Sequence, residues 1–220
     1  MATIISLIGE QNIPNLLPVL YLQPEQVVVV YTELTTKTAV RLTHLIKNKT
    51  KVLPLLVDAY DIAQTKEAIL NMVQSFATDD ISINFTGGTK TMSLAAYQAA
   101  VDLNAPIFYL QSQGTKTLLY FYEPENGRYP HHRAEEIPPL ITISDYLNAH
   151  LEDYQITGIV NSSDRGRQFE QAVHDNLKTS VDEICAGVKR FNTIDIDFVV
   201  RCGNIVGKKK KKTRTKRNAG

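Results

Sequence analysis

Four consecutive residues, Gly87, Gly88, Thr89 and Lys90, stand between a β-branched run, "ISINF", and an alanine-rich stretch, "TMSLAAYQAA". These types at a strand-to-helix turn suit anion binding. Two glycines let the backbone approach a ligand with no Cβ in the way. The first N–H groups of the helix lack partners within it, and its dipole favours negative charge there. Lys90 adds a mobile positive charge, and the hydroxyls of Thr89, Thr91 and Ser93 add donors. Together they form a phosphate cradle. The same residues also suit a plain strand end followed by a threonine cap, and both readings stay open. Neither a G-x-x-x-x-G-K-[ST] loop nor a G-x-G-x-x-G after the first strand occurs. An ordinary nucleotide triphosphatase or dehydrogenase is therefore disfavoured.

Such a turn needs a sheet to hold it. "TIISLIG" (3–9) reads as a strand, and "PNLLPVLYL" as a helix with Pro14 suited to its first turn. "VVVVY" (27–31) is a continuous apolar run, fit for a strand covered on both faces. "TKTAVRLTHLIKN" (36–48) sets Val40, Leu42, Leu45 and Ile46 at helical spacing. Pro54 places "VLPLLV" at an edge or in an irregular position. Residues 61–77 form an amphipathic helix with Ile62, Ile69, Met72, Val73 and Phe76 on one stripe. "ISINF", the alanine-rich helix, "PIFYLQ" and "TLLYFYE" complete an alternating series. The pattern predicts an α/β fold, a Rossmann-like, mainly parallel sheet with helices on both faces. Ligands of such sheets bind beyond the carboxyl ends of the strands. "GEQN", "TEL" and "TGGTK" fall at those ends.

Composition sets outer bounds. With 220 residues, 43% of them hydrophobic, the chain can bury a sizeable core. No apolar run approaches the ~20 residues that span a bilayer, so no membrane partner is expected. The N-terminus lacks a signal-like basic region. Cys185 and Cys202 have no metal-ligand spacing, which points to a reducing, cytoplasmic setting. The last fourteen residues, "GKKKKKTRTKRNAG", carry eight Lys or Arg and no acid. Without them 16 basic residues face 23 acidic ones, a net charge of −7 over residues 1–206. An anion site in that body must be local.

"SLIGEQNIPN", "YTEL" and "NFTGGTKTMSLAAY" together resemble the CARF domains, over roughly residues 3–122. These are the CRISPR-associated Rossmann-fold sensors that bind cyclic oligoadenylates made by type III CRISPR complexes. The resemblance implies a homodimer whose twofold axis passes through the ligand, most simply cyclic tetra-adenylate, with no cofactor required for binding. It implies ligand contacts from Gly87, Gly88, Thr89, Lys90, Met92 and Ser93, and from Gly9 at the first loop. Gln11, Asn12 and Thr32 then line the adenine and ribose positions, though Asn12 suits turn chemistry equally well.

Beyond a Pro-, Glu- and His-rich connector, "GRQFEQAVHDNLK…VDEI…IDIDFVVRCGNIV" resembles the opening of a PD-(D/E)xK nuclease, the effector often fused to such sensors. Glu170 and Asp197 match that family's first acid and its metal-binding aspartate. Strand alternation puts Asp195 and Asp197 on one face, and two solvated acids there are the plain alternative. The resemblance implies Mg²⁺ or Mn²⁺ only where the nuclease is active. Where the family has Glu-x-Lys, this chain has its lysine run, so the domain is expected to be truncated and inactive. A frameshift in an adenine-rich codon run would produce this ending; an undisturbed frame in independent isolates would exclude it. The other reading is a basic tail that makes weak, non-specific nucleic-acid contact.

The expected organisation is a sensing domain (1–125), a connector (126–160), a partial nuclease-like α/β domain (161–206) and a disordered basic tail (207–220). The expected function is a cyclic-oligoadenylate sensor. One alternative is a metal-independent ring nuclease using Lys90, Thr89 and Ser93; another is a ligand-activated, metal-dependent DNA or RNA nuclease.

Overall fold

The computed structural model describes residues 2–76, 80–159, 165–191 and 194–210. The chain runs β1 (Thr3–Leu7), α1 (Ile13–Leu22), β2 (Gln26–Tyr31), a short 3-10 turn (Glu33–Thr35), α2 (Thr36–Ile46), β3 (Lys51–Leu56), α3 (Ile62–Gln74), β4 (Ile81–Asn84), α4 (Lys90–Asp102) and β5 (Ile107–Gln113). It continues with β6 (Lys116–Glu125), β7 (Arg128–Glu136), α5 (Ile143–His150), β8 (Gln155–Ile156), α6 (Arg165–Lys178), β9 (Glu183–Arg190), β10 (Ile194–Cys202) and β11 (Ile205–Lys210). No helix among the described residues is long and apolar enough to cross a membrane.

Seven strands form one sheet in the order β3-β2-β1-β4-β5-β6-β7, parallel through β5 and antiparallel beyond it. The valine run is explained by the two layers it separates. Val27 and Val29 join Leu16, Leu42 and Ile46 under α1 and α2, whereas Val28 and Val30 join Ile69, Met92 and Ala96 under α3 and α4. Both faces are covered, so the strand needs no polar residue. β3 lies at the edge, where Pro54 is tolerated. The expected stripe on α2 is narrower than its apolar residues suggest: Ala39, Leu42 and Ile46 are buried, while Val40 is 50% exposed. α3 ends at Gln74, and Ala77, at the end of the predicted helix, lies outside the described residues.

Two elements differ from expectation. The connector stretch contains β7, which pairs with β6 and extends the first sheet to Glu136. Its sequence, RYPHHRAEE, shows no apolar alternation because it is an edge strand with most side chains in solvent. Lys208–Lys210, assigned to a disordered tail, lie in β11, antiparallel to β10. Lysines are tolerated there because β11 is the outer strand of a second sheet, ordered β11-β10-β9-β8. Residues 211–220 of that tail, and 160–164 at the connector's end, lie outside the described residues.

β1 sits between β2 and β4, at the point where strand order reverses. The helices that follow β1 and β4 pack on opposite faces of the sheet. Their loops therefore part over the β1–β4 pair and open a crevice at its carboxyl end.

Candidate functional site

That crevice is built by close backbone contact. A Cβ on Gly87 would strike the Leu7 carbonyl oxygen, and one on Gly88, at φ +76°, would lie 2.9 Å from Leu7 Cβ. A Cβ on Gly9 would come within 3.1 Å of the Gly88 nitrogen. The glycine pair is thus required by the packing of the β4 loop onto the β1 loop. Beneath it, the buried Asn84 donates to Pro14 O and Asn15 Oδ1, both at 3.1 Å, and its Oδ1 accepts from Thr86 Oγ1 at 2.6 Å. The Asn84–Asn15–Thr86 network escaped the sequence reading. Asparagine at the end of the short β4 strand was its only signal.

Thr89 caps α4: its Oγ1 accepts from Met92 N at 3.1 Å and donates to Ala59 O at 2.9 Å. Thr91 Oγ1 donates to the same carbonyl. The Ser93 hydroxyl donates to Thr89 O at 3.1 Å. These three hydroxyls are therefore engaged in tying the helix head to the β3 loop and to itself. Met92, expected at the ligand, is 1% exposed and belongs to the core beneath α3 and α4. Its sulfur lies 3.5 Å from Thr89 N, so the turn closes over it. Lys90 stays in solvent, with no ion pair among the described residues. The N–H groups of Lys90 and Thr91 fall in the first helical turn, which has no carbonyl of its own to bond them.

The first two loops contribute differently. Gln11 is exposed and meets His150 Nε2 at 2.8 Å. Asn12 is fully buried, and its amide donates to Ala149 O at 3.0 Å. It anchors α5 and does not reach the crevice surface. Thr32, 5% exposed, bonds with Thr35 in a capping box. Next to Thr32 opens a recess of about 480 Å³, lined by Glu33, Leu34, Leu56, Asp58, Tyr60 and Gln64. Tyr60 is 75% exposed there. These residues, and Ala59, carry no glycine or basic motif. Glu33 and Leu34 belong to the "TEL" stretch after the second strand, whereas for Asp58, Ala59, Tyr60 and Gln64 only their place after the third strand could have marked them.

In the second sheet, Asp195 is exposed and Asp197 half-buried, while Ile196 and Phe198 are buried. The expected alternation holds, with a register shift at Asp197 against β11. Glu170 lies half-buried on α6. Among the described residues no three His, Cys, Asp or Glu side chains come together as a metal site.

Parallel sheet, crevice at the switch point and glycine-built helix head define a Rossmann-like ligand-binding domain. Residues 3–146 match the family model of the Card1 CARF domain, and the chain belongs to that family. No curated protein matches the sequence. Among solved structures, Can2 from Sulfobacillus thermosulfidooxidans, in complex with cyclic tetra-adenylate, is 18% identical. The match covers 100% of this chain and 82% of Can2, with a TM-score of 0.76. The protein VC1899 from Vibrio cholerae is 14% identical, with 98% and 82% covered and a TM-score of 0.74. A type III CRISPR defence DNA nuclease activated by cyclic oligoadenylate is 15% identical, with 93% of this chain and 39% of that one covered and a TM-score of 0.68.

Proposed function

We propose that the chain is a sensor that binds a cyclic oligoadenylate, cyclic tetra-adenylate first among them, at the head of α4, and does so as a homodimer. The observation that carries this is Lys90: exposed, without an ion-pair partner among the described residues, in the first turn of a helix whose head is packed against the Gly9 loop. An ammonium and first-turn N–H groups together favour a phosphodiester. Family membership and the ligand of Can2 support the choice of ring. A tetra-adenylate ring carries four phosphodiester charges, and two copies of the helix head can each meet two. Leu94 and Tyr97, 55% and 43% exposed on α4, offer apolar surface for a second copy.

The C-terminal unit is proposed as a nuclease remnant without activity, a reading supported by the lysine run that stands where the resembled nuclease family has Glu-x-Lys. Titration calorimetry with cyclic tetra-adenylate tests the sensor reading. One ring per two chains is expected, and one ring per chain in a monomer, or no binding, would overturn it.

A further inference from the structure

His150 stands where the β1 loop meets α5. Its Nδ1 lies 2.8 Å from the Tyr146 carbonyl oxygen, and its Nε2 lies 2.8 Å from the Gln11 amide oxygen, Oε1. A carbonyl can only accept, so Nδ1 carries a hydrogen. In the neutral ring Nε2 is then an acceptor and needs a donor opposite it. Gln11 supplies one by turning its NH₂ towards the ring, a half-turn that exchanges two atoms of nearly equal size. The amide oxygen is then presented to solvent at the crevice. A charged ring reverses this: Nε2–H donates to the oxygen, and the NH₂ faces outward.

We propose that His150 is a positioning residue that sets the hydrogen-bonding polarity of Gln11, and through it the preference of the site for a base bearing an amino group. This rests on the ligand-binding reading above. The adenine edge offers an exocyclic N–H donor, which an outward amide oxygen accepts; hypoxanthine offers a carbonyl in the same place, which it repels.

The surroundings favour the neutral ring. His150 is half-buried, and burial, followed by the positive charges of Lys208 on β11 and Arg41 on α2, holds its pKa below the ordinary value of 6.5. The bond to the Tyr146 carbonyl opposes them in part. Arg41 is itself paired with Glu152 at 3.0 Å, and the Tyr146 ring lies 4.2 Å from the imidazole. The neighbouring Asn12–Ala149 bond pins the loop, so Gln11 answers a change in the ring by turning rather than by withdrawing.

The test compares cyclic tetra-adenylate with cyclic tetra-inosinate by calorimetry on the full chain, across about pH 5 to 8. Both rings carry the same phosphates, so general charge effects cancel in the ratio of affinities. The adenylate should be favoured about tenfold above the His150 transition, and the ratio should collapse or invert below it. Gln11→Ala, a surface change, should flatten the ratio across pH, and His150→Ala should do the same. A wild-type ratio independent of pH, or one whose pH dependence survives Gln11→Ala, overturns the proposal. So does nitrogen NMR that finds the neutral His150 ring protonated at Nε2. Failure of both rings to bind at every pH would instead remove the ligand-binding reading, and this inference with it.

Discussion

The Asn12 side-chain amide donates to the Ala149 carbonyl at 3.0 Å, joining the loop after β1 to α5 across 137 residues of chain. α5 in turn packs Ile143 and Leu147 against Val188, Ile196 and Val199 of the second sheet. Its first N–H, from Ile143, donates to Glu183 Oε2 at 2.9 Å, and the same oxygen accepts from Arg201 Nε. Asn12 is thus the first step of a packed connection between the crevice and the C-terminal unit. Replacing it by alanine strands a buried carbonyl and should cost about 1–3 kcal/mol of stability. Urea denaturation measures this. Loss of affinity for cyclic tetra-adenylate with stability unchanged would return Asn12 to the ligand site.

Lys90→Ala should weaken cyclic tetra-adenylate roughly 10- to 100-fold per protomer, because it removes a charge-assisted contact. In a dimer sharing one ring the effect compounds. Residual binding of the wild type should fall with salt more steeply than that of the variant. Calorimetry that shows equal affinity and equal salt dependence would take Lys90 out of the site.

Much of this fold is legible in the sequence, for physical reasons. The valines of β2, the proline of β3 and the glycines before α4 each have one good structural answer. The roles at the helix head were less accessible. Thr89, Thr91 and Ser93 carry the same hydroxyls whether they face a ligand or a carbonyl, and only the positions of the Ala59 carbonyl, for the two threonines, and of the Thr89 carbonyl, for Ser93, decide between them. Asn12 likewise reads as a surface turn until α5, far along the chain, covers it. β7 and β11 are polar edge strands, so period-2 apolar patterning could not reveal them.

His150 should also leave a mark on stability against pH. Its folded pKa lies below the ordinary 6.5, so folding favours the neutral ring. Its contribution is full above the unfolded value and is lost as pH falls through the depressed one. Between the two values the unfolded chain binds the proton more readily than the folded one, and below both each state carries it. His150→Gln should remove this part of the acid slope while other groups titrate unchanged. Denaturation midpoints of the two proteins that fall in parallel through this window would show that His150 does not contribute.

The purified chain with Mn²⁺ and cyclic tetra-adenylate should cut DNA or RNA feebly or not at all, and Asp197→Ala should change nothing. The ladder sets the backbone of Lys209 and Lys210 beside Phe198 and Ile196, on either side of Asp197. Robust cutting that Asp197→Ala abolishes would mean that a metal is held after all, with a strand lysine serving the attacking water.

Ring cleavage, if the sensor pocket performs it, is expected to run without metal. The attacking group is then the ligand's own ribose 2′-hydroxyl, which bonds to the neighbouring phosphorus as the P–O5′ bond breaks, so the linear product carries a 2′,3′-cyclic phosphate at one end and a 5′-hydroxyl at the other. The helix head and the Lys90 ammonium would stabilise charge on the phosphorane. Ser93 Oγ already donates to the Thr89 carbonyl, and Thr89 Oγ1 to that of Ala59. To hold a ribose in line, either hydroxyl must give up its present bond. Ser93→Ala should accordingly leave binding nearly unchanged and slow cleavage only if Ser93 is recruited in the transition state. Thr89→Val should lower stability by about 1 kcal/mol through loss of the cap, whatever happens to the ring. Product analysis in EDTA separates these cases. Chelator-sensitive cleavage, or a linear product with a plain 5′-phosphate, would exclude the metal-free route, and a ring intact after hours would leave the protein a sensor alone.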